Sequence, residues 1–334
     1  MAVTIRQVAK HAGVSVATVS YVLNNDPRIT PETREKVLAA VRTLDYHPNS
    51  LARGLARRQT DIIGLLVPRT RYVSDPFFLE FISGVGDVAG HLGMGLLLVP
   101  SGDPQAPLPS QVQSGRVDGV ILMESEAHDR RVDSLRAKSM PFVLFGRCLD
   151  DSGVHWIDVD NVSGGRQAVE HLAGLGHSRI GFIGAPLRFM FAQFRREGYL
   201  QGLISSGITP DGSLELEADL TEEDGYSAAR RLLALHPRPS AILAASDLMA
   251  IGAIRAAKEM GLRVPHDLAV VGFDGTPVSA FAHPPLTTVR QPAYDIGARA
   301  AHMLMDLLGG QAEEVRHEIV QPALIIRQSC GSTT

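Results

Sequence analysis

From Asp61 onward the chain alternates between two patterns. Short apolar runs (Ile62–Val67, Gly95–Val99, Gly119–Met123, Phe142–Phe145, Ile180–Ile183, Ala241–Ala244 and Leu268–Gly272) are separated by amphipathic stretches. Those stretches include Pro76–His91, Gly164–Leu175, Gln193–Ser205, Tyr226–Leu235 and Leu248–Met260. The runs have strand length and the stretches helix length, which is the rhythm of βαβ units and of parallel sheets covered by helices. Residues 61–334 are more than one such sheet usually needs, so the expected body is α/β with two doubly wound parallel-sheet lobes.

Residues 1–60 follow another rhythm. Thr4, with Gln7 three residues on, fits a capping box, and Ile5, Val8, Ala9 and Ala12 fall on one helical face. Gly13 permits a tight turn. The stretch GVSVATVSYVLNN is β-branched enough to pass for a strand. However, Ser15 is placed to cap a helix in which Val19, Val22 and Leu23 face inward, leaving Val16, Ala17, Thr18 and Tyr21 outside. Thr30-Pro31 opens a third helix, with Val37, Val41 and Leu44 on one face. Two short helices joined by a glycine turn and backed by a third make an all-α helix-turn-helix head, whose second helix enters the major groove. In that setting Ser15, Thr18 and Asn24 hydrogen-bond phosphates; the competing reading is a generic three-helix domain whose hydroxyls only cap. Charge favours nucleic acid. The head holds nine lysines and arginines against four acids, so a whole-chain charge of −4 leaves −9 on the body.

Between head and body, Pro48 breaks the chain and Asn49 is placed to cap a short helix. A segment of that length does not hold a helix alone, and Gly54 weakens it further. Leu51 and Leu55 share one face, while Arg53, Arg57 and Arg58 attract phosphates and make binding salt-dependent.

The head stretch TIRQVAKHAGVSVATVSYVLN, continuing through TPETREKVLAAVRTLDYHPNSLARGLA, resembles the N-terminal signature of the lactose-repressor family of bacterial transcription regulators. The pieces VDGVIL, DVDN, HLAGLGHSRIGFIG, ASDLMAIGAIRAA, GLRVPHDLAVVGFD and PPLTTVRQP resemble that family's effector domain, itself similar to periplasmic sugar-binding proteins. The resemblance covers nearly the whole chain. It implies a DNA-binding domain at 1–46, a hinge at 47–60 and an effector-binding and dimerisation body at 61–334. The lobes of that body would be about 61–160 with 290–320, and 161–289 with 321–330. It further implies that Val16, Ala17 and Tyr21 face base edges and that Ser15, Thr18 and Asn24 meet phosphates. Thr4, Ile5, Asn49, Ala52 and Arg53 fall on the DNA side, and Leu55 wedges into a bent minor groove where two hinges pair. Tyr21 departs from the pattern, since many relatives place arginine there. A phenol makes one bond where arginine makes two, and its ring either meets a thymine methyl or lies against Pro27 or Arg28. A second departure follows Pro100, where a proline-rich stretch predicts a truncated helix.

Ligands of doubly wound sheets sit beyond the carboxyl ends of the strands, which brings Glu124, Ser125, Arg147, Asp160, Asn161, Asp247 and Asp274 toward one cleft. By similarity to the family, Arg195, Asp247 and Asp274 contact effector hydroxyls, and carboxylates opposite an arginine suit vicinal diols. Arg195 alternatively pairs with Glu197. Phe77, Phe78, Phe189 and Phe191 supply either apolar walls or ordinary core. The expected effector set is therefore Phe78, Ser125, Arg147, Asp160, Phe191, Arg195, Asp247 and Asp274.

The glycines at 84, 86 and 90, and at 174 and 176, do not open a helix after a strand, so no cofactor is expected. The histidines lack ligand spacing and two cysteines make no framework, so neither metal nor disulfide is expected. No nucleophile signature supports a catalytic residue. Without a signal peptide or a membrane-length run, the expected place is the cytoplasm. The expectation is a homodimer, since no leucine heptads follow Arg327, repressing carbohydrate-utilisation genes from a near-palindromic operator bent at its centre. Its effector is expected to be sugar-like, with a purine or other metabolite as the alternative. A sugar-binding or sugar-modifying protein without gene control is the remoter one.

Overall fold

The computed structural model describes residues 3–23, 26–46, 59–67, 75–101, 105–311 and 314–331. The chain forms two compact units, Met1–Thr60 and Asp61–Thr334.

Among the described residues, three helices make the first unit. Helix α1 (Ile5–Ala12) begins where Gln7 Oε1 accepts from the Thr4 amide at 2.8 Å, and it ends on Gly13, left-handed with φ 67°. Helix α2 (Val16–Leu23) is capped by Ser15, whose Oγ accepts from the Thr18 amide at 3.0 Å. Helix α3 (Pro31–Thr43) starts at the Thr30 cap. Val8, Ala9, Val19, Val22, Val37, Ala40 and Tyr46 bury together. The β-branched stretch is helical because burying its Val19–Val22 stripe outweighs strand propensity. Asn24, Asn49, Ala52, Arg53 and Leu55 lie outside the described residues.

The second unit holds two six-stranded sheets. The first contains β1 (Ile62–Val67), β2 (Gly95–Pro100), β3 (Gly119–Leu122), β4 (Phe142–Phe145), β5 (His155–Val159) and β11 (His317–Val320), in the order β11-β5-β4-β3-β1-β2 and all parallel. The second contains β6 (Ile180–Gly184), β7 (Glu215–Glu217), β8 (Ala241–Ala244), β9 (Ala269–Asp274), β10 (Thr287–Arg290) and β12 (Ala323–Ile325). Its order is β12-β10-β9-β8-β6-β7, and only β12 runs antiparallel. The covering helices are α4 (Pro76–His91), α5 (Ser110–Gln113), α6 (Arg130–Ala137), α7 (Asn161–Gly174), α8 (Met190–Ser205), α9 (Glu222–Leu233), α10 (Asp247–Glu259), α11 (Pro277–Phe281) and α12 (Ala293–Leu308). The proline-rich stretch after Pro100 forms only the four-residue α5.

The chain passes between the sheets three times: from β5 to α7, from β10 to α12, and from β11 to β12. Helices α7 and α8 approach closely, since a Cβ on Gly198 would lie 2.2 Å from the Val162 carbonyl oxygen. Gly84 is likewise a packing glycine, its notional Cβ 2.1 Å from the Tyr294 carbonyl oxygen on α12. Among the described residues, no helix is long and apolar enough to cross a membrane.

Candidate functional site

The first unit presents an exposed ridge along α2. Ser15, Val16, Ala17 and Tyr21 are exposed and Thr18 is half-buried. The Ser15 and Thr18 hydroxyls bond each other at 2.8 Å, which orients both while leaving each able to make a further bond. Thr4 is exposed, whereas Ile5 packs against the head's core. The Arg28 guanidinium lies 5.3 Å from the centroid of the Tyr21 ring and bonds Asp26 at 2.7 Å. That hydrogen bond pulls the Asp26 carboxyl down to about 2. The ring therefore rests against Arg28 and still keeps about 45% of its surface exposed.

In the second unit the carboxyl ends of both sheets enclose a cavity of about 80 Å³, room for several waters or one small ring. One wall carries Asp75, Phe77 and Phe78 at the start of α4, Met123–Ser125 after β3, Phe145 and Gly146 at β4, and Asp158 of β5. The other carries Asn161, Phe191, Arg195, Leu220, Asp274 and Gln291.

A chain of polar groups runs along the cavity floor. Asp158 Oδ2 accepts from Arg147 Nε at 2.7 Å, and its Oδ1 accepts from Asn161 Nδ2 at 3.2 Å. Asn161 Oδ1 accepts from Arg195 Nε at 2.9 Å. Arg195 Nη1 reaches Asp274 Oδ1 at 3.4 Å and also donates to the Ala245 carbonyl. Gln291 Nε2 donates to the same Asp274 oxygen at 2.7 Å. The ring of Phe273 lies 3.8 Å from the guanidinium carbon of Arg195, and that of Phe191 lies at 5.0 Å. Among the described residues no hydrogen bond to Arg195 Nη2 or Asp274 Oδ2 is present, and both residues line the cavity.

Burial sets the charges. It pushes the Asp274 carboxyl well above its ordinary value, with the Arg195 guanidinium pulling the other way. Burial lowers Arg195, against the pull of Asp274. Asp158 is raised by burial despite Arg147. Glu124 is pushed by burial to about 7, against the weaker pull of Arg131 and Arg188. Asp274 sits at φ 112° and Glu124 at φ 52°, conformations uncommon outside glycine. Such backbone strain is often found at ligand sites.

Of the eight expected effector residues, Phe78, Ser125, Phe191, Arg195 and Asp274 line the cavity. Three do not, and each has a physical reason. Asp247 lies behind the wall, its Oδ2 accepting from the Thr276 amide and hydroxyl at 2.7 Å each; its companion Oδ1 takes the Thr288 hydroxyl. Burial raises it to about 6. Asp160 caps α7, accepting from the Ser163 amide at 2.9 Å. Arg147 stands one step back, paired with Asp158 and stacked 3.9 Å over the Phe194 ring. Phe189 is buried against Phe191 rather than lining the cavity. Asp75, Asp158, Leu220 and Gln291 were not expected at the cavity. Asp75 as the cap before Pro76 was the one legible from sequence, because a capping carboxylate keeps one oxygen free.

Comparison with known proteins supplies the lineage. The model of bacterial regulatory proteins of the lacI family matches residues 4–49, and the periplasmic binding protein-like domain matches residues 169–330. The HTH-type transcriptional regulator CelR of Thermobifida fusca is 36% identical over 332 residues, 98% of this chain and 98% of that protein. The chain belongs to the lacI family of bacterial transcription regulators. The lac repressor dimer, solved bound to operator and the anti-inducer ONPF, matches with a TM-score of 0.87 at 30% identity over 99% of each chain. A CelR–cellobiose complex matches with a TM-score of 0.76 at 34% identity, covering 98% of this chain and 99% of that one. This LacI-family chain is a DNA-binding transcription regulator and not an enzyme. In helix-turn-helix proteins the second helix, here α2, is the one that enters the major groove.

Proposed function

We propose that this regulator is a cytoplasmic homodimer that represses carbohydrate-utilisation genes under the control of a small sugar-like effector. One observation carries the reading: Arg195 and Asp274, paired through Nη1 and Oδ1 at 3.4 Å, together line an aromatic-walled cavity. A donor and an acceptor so placed suit the two oxygens of a vicinal diol, and phenylalanine faces suit the apolar side of a pyranose. The relative CelR is known in complex with cellobiose, which supports the same class.

Residues 1–46 then read the operator through Val16, Ala17 and Tyr21, with Ser15, Thr18 and Asn24 on phosphates. Residues 47–60, with Asn49, Ala52, Arg53 and Leu55, form the hinge over a bent centre. Effector bound to Arg195 and Asp274 acts on Asn161 and Gln291, which stand at two of the three crossings between the sheets. A ligand that prefers one lobe arrangement thereby shifts operator affinity.

Selecting operator from random duplexes, then titrating it with the protein against a panel of sugars and purine nucleosides, tests this. At least one sugar is expected to change operator affinity fivefold or more. A response to the nucleosides alone would overturn the sugar reading. Failure to enrich any duplex would overturn the regulator itself.

A further inference from the structure

One wall of the cavity carries two carboxylates that the Arg195 chain does not use. Glu124 is held in its left-handed conformation by Arg131, whose Nη2 donates to the Glu124 carbonyl at 2.9 Å. The charge of Arg131 is matched by Asp129, 2.7 Å away in a fully buried pair, so it is not free to neutralise the Glu124 side chain. Among the described residues no group bonds the Glu124 carboxylate. Asp75 Oδ1 caps α4, accepting from the Phe77 amide at 3.0 Å, and leaves Oδ2 without a partner among the described residues. The charged groups facing Glu124 are Arg131, Arg188, Asp75 and Asp219. Arg188 is half exposed and lies 3.8 Å from Glu126.

Across the cavity each cation already has an acid, Arg195 with Asp274 and Arg147 with Asp158. Carboxylates therefore outnumber free cations around the ligand space. A phosphate or carboxylate entering it would meet like charge where little water screens, at a cost that grows as the dielectric falls. A hydroxyl would instead find acceptors.

We propose that Glu124, seconded by Asp75, restricts this cavity to polyhydroxylated ligands without negative charge and excludes their phosphorylated and acidic counterparts. The proposal rests on the cavity being the effector site. Burial raises the Glu124 carboxyl to about 7, so Glu124 is fully charged, and repels an anion most, above that pH.

Isothermal titration of the full-length protein at about pH 8.5, where Glu124 is ionised, tests it with matched pairs: glucose with glucose 6-phosphate, cellobiose with its phosphorylated form, and galactose with galacturonate. In at least one pair the neutral sugar is expected to bind at least tenfold tighter than its partner. Glu124→Gln should narrow that gap at least fivefold, and Asp75→Asn should narrow it in the same direction. A charged member binding tighter than its neutral parent overturns the proposal. So does a gap unchanged in both variants while the neutral sugar still binds. If no member of any pair binds, the effector reading fails first, and this inference falls with it.

Discussion

Asp247 and Asp274 each follow an apolar strand, and only backbone geometry separates their work. Asp274 ends β9 at φ 112° and keeps one carboxylate oxygen unbonded beside Arg195. Asp247 opens α10 and ties that helix to Thr276 and Thr288. Asp247→Ala, which strands those donors, should lower stability by about 2–4 kcal/mol, read by urea unfolding, while leaving sugar affinity per folded molecule unchanged. Asp274→Asn should do the reverse, weakening sugar binding at least thirtyfold by calorimetry with a smaller loss in the urea midpoint. Glu124 gives a pH signature. Burial raises it from 4.5 to about 7, so the folded protein holds this proton more tightly than the unfolded chain. Its stabilising effect is full below pH 4.5 and is lost as pH rises through 7. Glu124→Gln, lacking the titration, should gain stability relative to wild type between pH 5 and pH 8, by up to about 3 kcal/mol. An equal gap at both pH values would show that Glu124 does not titrate there.

At the scale of elements, the pair α7–α8 positions the site. Gly165 and Gly198 let the two backbones meet, which brings Arg195 within reach of Asn161. Gly198→Ala should force the helices apart, costing about 1–3 kcal/mol and weakening sugar binding together with stability. Thermal unfolding and calorimetry on the same preparation check both. All seven apolar runs that stand out in the sequence are strands; six carry the apolar side chains of strands buried on both faces, while Gly95–Pro100 lies at a sheet edge and is largely exposed. Strand β5 was not legible, for His155, Trp156 and Asp158 interrupt its apolar pattern. It is nevertheless fully buried because Arg147 and Asn161 satisfy Asp158, a pairing that local sequence does not reveal. Gln291 was missed for the same reason, as its partner Asp274 is seventeen residues away.

At the scale of the molecule, the charge split between a basic head and an acidic body and the change of rhythm at Asp61 were both readable in the sequence. Of the acids at the cavity, Glu124 and Asp274 were readable as strand-end residues, whereas Asp75 and Asp158 were not expected there, Asp158 because it depends on partners brought from other elements. The polar chain from Arg147 through Asp158, Asn161, Arg195 and Asp274 to Gln291 joins the lobes at two crossings, and the proposed function has the effector act through it. The most direct test is the operator dissociation constant of wild type and Asn161→Ala, each without sugar and at saturating sugar. The wild-type ratio should be at least about fivefold, and that of Asn161→Ala within about twofold of unity although the variant still saturates with sugar. An Asn161→Ala protein that saturates and keeps the full wild-type ratio would contradict that expectation.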